Sequence, residues 1–111
     1  MTRSNIHIIL SNGKKIKCVA DSSSAPEQGC IVENLLQPIL LFNDPEKELK
    51  LLREHCTMNE QRTNAAYRYE VNLLTKRVSF FEERYDYGKD RFDRGEDITE
   101  RYDAYLIQVK S

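Results

Sequence analysis

Apolar and polar residues alternate most cleanly between Ala66 and Tyr87, AYRYEVNLLTKRVSFFEERYDY. A period of two places every second side chain on one face of a strand. On the first arm Tyr67, Tyr69, Val71 and Leu73 share a side, and Ala66, Arg68, Glu70 and Asn72 take the other. On the second arm Val78 and Phe80 oppose Ser79, Phe81 and Glu83. The stretch predicts a long β-hairpin that reverses over Leu74 to Arg77. It lacks the Asn-Gly or Gly of a primed two-residue turn, so a four-residue loop built on a type I turn is expected. That register pairs Leu73 with Val78, Val71 with Phe80, Asn72 with Ser79 and Arg68 with Glu83. Phe81 falls on the polar face, where it is either covered by a loop or subunit or is an exposed contact aromatic.

A second hairpin is predicted at the start of the chain. Ile6, Ile8 and Leu10 alternate, Ser11-Asn12-Gly13 turns the chain, and Ile16, Cys18 and Ala20 alternate again. A two-residue Asn-Gly loop would set Ile8 against Lys17 and mix the faces. A three-residue loop pairs Leu10 with Lys14, Ile8 with Ile16 and Ile6 with Cys18, which keeps one face apolar. It requires a positive φ at Gly13, which glycine adopts at little cost.

Between the hairpins the spacing turns helical. Pro26 and Glu27 suit a first turn beginning at Ser24 or Ala25, and Ile31, Val32, Leu35 and Leu36 continue the stripe to Gln37. Pro38 is expected to stop or kink that helix. Ile39 to Phe42 is either a buried strand or the helix tail. Asn43-Asp44-Pro45-Glu46 is the clearest start signal: Asp44 caps, Pro45 takes the first helical position, and Glu46 and Glu48 face the positive end of the dipole. Leu49, Leu52 and Cys56 form its stripe, widened by Leu51 and His55, and the helix should end near Thr57 to Asn59. Glu60 to Asn64 reads as a polar loop. After Tyr87, the charged run Gly88 to Asp97 reads as a loop. Glu100 to Lys110 reads as a last strand with two partly apolar faces.

The sum is one α+β domain over residues 1–111. It has a mostly antiparallel sheet, an N-terminal hairpin plus a C-terminal three-stranded meander, with one or two helices on one face.

Composition narrows function more than it defines it. The formal net charge of −1 argues against a general nucleic-acid binder. No apolar run approaches the roughly 20 residues of a membrane helix, and MTRSNIHIIL lacks the features of a signal peptide. Cys18, Cys30 and Cys56 are an odd, widely spaced set, read as reduced thiols of a cytoplasmic protein. With His7 and His55 they show no metal-ligand spacing, since only His55 and Cys56 are close and adjacent helix positions diverge. Asp86, Asp90, Asp93, Glu96 and Asp97 do not follow the EF-hand pattern. No metal or cofactor is implied. Cys56 with His7 or His55 is the only nucleophile–base set to consider, and nothing in the sequence singles it out.

Two surfaces stand out instead. Tyr85, Tyr87 and Phe92 lie among Arg84, Arg91 and Arg94, and aromatic rings with arginines are the composition of interface hot spots. Tyr85, Tyr87, Arg91, Phe92 and Arg94 therefore predict a non-enzymatic interaction module that binds another protein. Homodimerisation is expected from Phe81 and the two-faced last strand. The alternative is nucleic-acid binding through the basic hairpin tip, Lys14, Lys15 and Lys17, with bases stacked on rings.

Overall fold

The computed structural model describes residues 3–20, 25–27 and 31–110. Its core element is a six-stranded mixed sheet in the order β3-β2-β1-β4-β5-β6. The strands are β1 Ser4–Ile9, β2 Lys15–Ala20, β3 Thr57–Met58, β4 Tyr67–Asn72, β5 Arg77–Asp86 and β6 Arg91–Asp97. Every neighbouring pair is antiparallel except β1 with β4. The class is the expected α+β, with an N-terminal hairpin and a C-terminal meander.

The first hairpin has the expected three-residue loop. Ile6 faces Cys18 and Ile8 faces Ile16. Gly13 has φ +86°, and Leu10 N donates to Lys14 O at 2.8 Å. The central hairpin departs from expectation by two residues. Val71 faces Val78 and Tyr69 faces Phe80, while Glu70 faces Ser79 and Arg68 faces Phe81. The cause is Asn72. Its side-chain oxygen accepts from Leu74 N at 2.9 Å and Thr75 N at 3.3 Å, so the loop begins one residue early. Lys76 then closes it with φ +59°. A two-residue shift leaves each side chain on its own face, so the face assignment survives. Leu73 drops into the core instead of pairing with Val78.

The β5–β6 connection repeats this device. Asp86 Oδ1 accepts from Gly88 N at 2.9 Å and Lys89 N at 3.2 Å, and Asp90 takes φ +51°. The run expected to be a loop is therefore largely strand β6. Its cross-strand neighbours are of opposite charge: Glu83 with Arg94, Arg84 with Asp93 and Asp86 with Arg91. Between Phe81 and Glu83 the register shifts, with one extra residue on β6. Gly95 lies there, and a Cβ on it would come 2.9 Å from the Glu82 carbonyl oxygen.

The segment expected as the last strand is a helix, α3, Thr99–Lys110. Asp97 Oδ1 accepts from Thr99 N at 2.9 Å at its start. Tyr102 is buried, and Tyr105 and Leu106 pack against the core, which is helical spacing. Thr99 also fills the sheet edge that β6 vacates: Phe80 N donates to its hydroxyl oxygen at 3.0 Å, and Ile98 N donates to Phe80 O at 2.9 Å. Arg101 fixes the helix with a two-pronged ion pair to Glu27 (2.8 Å each) and a hydrogen bond to the Tyr67 hydroxyl. That pairing holds the Glu27 carboxyl below its usual range.

Of the expected first helix, Ser24, Gly29 and Cys30 lie outside the described residues, and residues 25–27 form a turn. The helical stretch includes a π-helical turn, Val32–Leu36, that runs directly into α1, Gln37–Leu41. Gln37 N donates to Val32 O, a reach of five residues. Pro38, which has no N–H to give, is carried through rather than ending the helix. Ile39 to Leu41 is thus helix, the second of the two readings. Helix α2, Pro45–His55, starts as expected, with Asp44 Oδ1 accepting from Glu46 N at 3.0 Å. Its buried stripe differs: His55 is exposed, and Glu48 is buried with Leu52. Glu48 Oε1 accepts from Ser11 N at 3.0 Å, tying the first hairpin's turn to the helix.

The core lies on one side of the sheet. Ile6, Ile8, Cys18, Tyr69, Val71 and Phe80 from the strands meet Val32, Leu35, Ile39, Leu52 and Tyr102 from the helices. Tyr69 stacks on Phe80 at 4.7 Å and meets Tyr102 edge-on at 6.3 Å. Among the described residues no helix is long and apolar enough to cross a membrane.

Candidate functional site

Among the described residues the other side of the sheet carries no helix. By strand alternation it presents Asn5, His7 and Ile9 from β1, Lys15, Lys17 and Val19 from β2, and Arg68, Glu70 and Asn72 from β4. From β5 come Arg77, Ser79, Phe81, Glu83 and Tyr85, and from β6 come Phe92 and Arg94. The polar residues between the helix α2 and β4, which sequence reads as a plain loop, fold back over one end of this face. Arg62 N donates to Asn5 Oδ1 at 2.8 Å, and Asn5 Nδ2 donates to Arg62 O at 3.2 Å.

An ionic chain crosses the middle of the face. Arg68 grips Glu83 through Nη2–Oε1 at 2.9 Å and Nε–Oε2 at 3.1 Å, on a diagonal rather than as the direct cross-strand pair expected from sequence. Asn5 Nδ2 donates to the same carboxylate at 2.8 Å. Glu70 takes Arg68 Nη1 at 3.5 Å on one oxygen and Arg94 Nη1 at 3.1 Å on the other. The Arg94 guanidinium sits 4.6 Å from the Phe81 ring centre. That contact covers Phe81, which is only 6% exposed, so it is not a free contact aromatic.

The chain divides the face into two ends. At the β5–β6 end Tyr85 packs edge-on to Tyr87 at 4.8 Å and tilted on Phe92 at 4.8 Å. Tyr87 is 76% exposed. Of the five residues singled out by sequence, the fold thus brings Tyr85, Tyr87 and Phe92 into contact. Arg94 lies on the same face but is engaged with Glu70 and Phe81. Arg91 lies on the opposite side of β6, paired with Asp93 at 3.0 Å.

At the β2 end the face forms a groove of about 630 Å³. Lys15 and Lys17 form one wall and Arg77 the other. His7, Ile9, Glu70 and Asn72 lie between them, and Ser79 follows Arg77 on β5. None of the three cations makes an ion pair among the described residues. Lys14 stands outside the groove at the turn, its backbone N–H donating to Asn12 Oδ1 at 3.0 Å. His7 Nε2 lies 2.8 Å from the Gln61 amide nitrogen; an amide nitrogen only donates, so Nε2 accepts. Burial, then Arg68, then Lys17 lower the His7 pKa below 6.5, against a weaker pull from Glu83 and Glu70. Sequence reasoning found the lysines of this groove and missed Arg77 and His7. The fold's parallel β1–β4 contact, which brings His7 beside β4, leaves no local trace in the chain.

Cys56 packs against the core on the helix side, whereas His7 lies on the open face. Among the described residues no group of three or more His, Cys, Asp or Glu side chains gathers as a metal site. Compared with known proteins, the chain matches no family model, no curated protein and no solved structure.

Proposed function

We propose that this protein is a non-enzymatic interaction module of the cytoplasm that binds another protein through the aromatic tip of the β5–β6 hairpin. The observation that carries the reading is the packed group Tyr85, Tyr87 and Phe92 at the end of the longest strand, with Tyr87 left mostly in solvent. Rigid rings held by one another lose little freedom on binding, and rings with nearby arginines are enriched where interfaces concentrate their energy. Strand β6 borders this tip and forms the sheet's outer edge, so its outward main-chain groups are available to a partner strand.

The test is capture from a cell extract with the intact protein and with Tyr87→Ala/Phe92→Ala. The expected result is a partner retained by the intact protein and lost by the double variant, with an unchanged melting temperature. A set of captured proteins identical for both would refute the tip as the binding site. Light scattering on the same two proteins covers a second copy as partner: a dimer that the double variant abolishes identifies self-association as the use of the tip.

A further inference from the structure

We propose a second binding site, independent of the aromatic tip: the open-face groove between Lys15, Lys17 and Arg77 takes a short single-stranded nucleic acid. The argument begins with charge. Three exposed cations line the groove and make no ion pair among the described residues. The one carboxylate in the lining, Glu70, has both oxygens engaged by Arg68 and Arg94. The groove therefore presents positive charge that nothing in it balances, and it complements an anion. The basic strip continues past Lys15 and Lys17 into a smaller cavity of about 380 Å³ beside Asn59, Glu60 and Gln61. Glu60 is itself paired with Arg62 at 3.1 Å.

Geometry selects the kind of anion. The two walls stand on β2 and β5, three strand spacings apart, which is roughly 14 Å. Successive phosphates of one strand can touch both walls. The floor between carries the half-buried His7 ring, Ile9, the short polar side chains of Asn72 and Ser79, and Glu70, whose carboxylate is matched by Arg68 and Arg94. Such a floor accepts unstacked bases with flat contacts and edge hydrogen bonds, the mode of single-strand binding. A duplex keeps its bases stacked inside and gains nothing from it. An acidic peptide is the competing occupant. Strands β1, β4 and β5 are interior to the sheet, with neighbours on both sides, so a peptide lying over them finds no free main-chain groups to add to. Nor is the polar floor the apolar trough that an amphipathic helix needs.

The test uses the full chain and two labelled 12-mers, oligo-dT and oligo-rU, followed by fluorescence anisotropy at 50 and 200 mM salt. With three phosphate contacts on a single strand, log affinity should fall with log salt at a slope of about −2, a loss of roughly 20-fold over that range. Lys17→Ala and Arg77→Ala are both surface changes, and each should flatten the slope by about 0.7. Lys50→Ala, an exposed lysine of α2, should leave it unchanged. Binding of either oligomer with this pattern supports the site; preference for oligo-rU assigns RNA, and equal binding assigns backbone contacts shared by both. No binding at 50 mM salt overturns it. So does a loss with Lys50→Ala equal to that with Lys17→Ala, tighter binding of a 12-bp duplex, or displacement by poly-glutamate at equal charge. The Tyr87→Ala/Phe92→Ala variant should bind both oligomers as the intact protein does, so failure at the tip and failure in the groove read separately.

Discussion

The two faces of the sheet are both ordered, by different means. On the helix side Tyr69, Phe80, Ile6 and Ile8 are sealed by Leu35, Ile39, Leu52 and Tyr102, and the stabilisation scales with apolar area removed from water. On the other side Asn5, Arg68, Phe81 and Glu83 are also buried, yet no helix among the described residues covers them. They cover one another, through directional bonds: a carboxylate held by three nitrogens, a guanidinium lying on a ring, and an asparagine clasped by a loop. Apolar packing tolerates a substitution of similar volume, whereas a bonded chain of charges does not tolerate the loss of one member. The open face therefore holds the aromatic tip and the basic groove in fixed relation through its own side chains.

The contrast is most sharply tested at Glu83. Glu83→Gln should leave the buried Arg68 charge with only its longer 3.5 Å contact to Glu70 and cost about 3 kcal/mol by chemical denaturation. Arg68→Met with Glu83→Leu should recover most of that loss, because it removes both desolvated charges together. If the single change costs less than about 1 kcal/mol, mutual ionic cover is not what orders the open face.

A smaller effect is expected at the turn of the first hairpin. Gly13→Val should lower stability by about 1–2 kcal/mol through its left-handed backbone alone, since nothing lies within 4 Å of the added Cβ. Gly13→Asn should lose much less, and an unchanged melting temperature for the valine variant would contradict the turn. Smallest is the effect of His7. Its folded pKa lies below the unfolded 6.5, so the unfolded chain binds the proton first as pH falls. The stability present above pH 6.5 should therefore decline as pH drops from 6.5 toward the folded pKa, and His7→Gln should flatten that slope. A melting-temperature profile from pH 5.0 to 7.5 reads it directly; identical slopes would separate His7 from its surroundings on the open face.

Where local chemistry decides structure, the chain is readable. The positive φ at Gly13 and the cap at Asp44 follow from residues within four positions of them, and both are as the sequence predicts. Where two periods fit equally well, it is not. Tyr102 to Val109 satisfies a strand and a helix alike, and the decision rests on the Asp97–Thr99 start signal just before it. Strand β6 escapes notice because its cohesion lies in charge pairs with β5 rather than in apolar alternation. Glu48 reads as a dipole partner and is in fact a buried tie to Ser11, 37 residues away. Of the two surfaces read from sequence, Tyr85, Tyr87 and Phe92 meet because they are close along one hairpin. Arg77 joins Lys15 and Lys17 only through the strand order.

That strand order has a consequence for how the molecule is made. Strand β1 lies in the interior of the sheet, and its partner on one side is β4, which follows it by some sixty residues. During synthesis the first hairpin and both middle helices emerge while one flank of β1 still lacks its neighbour. Closing so large a loop is slow compared with forming either hairpin. For that interval the chain holds an unpaired strand margin rich in isoleucine, the sort of surface that recruits chaperones or stray strands. Protection at that stage has to come from the pace of translation and the company the nascent chain keeps, rather than from the finished architecture.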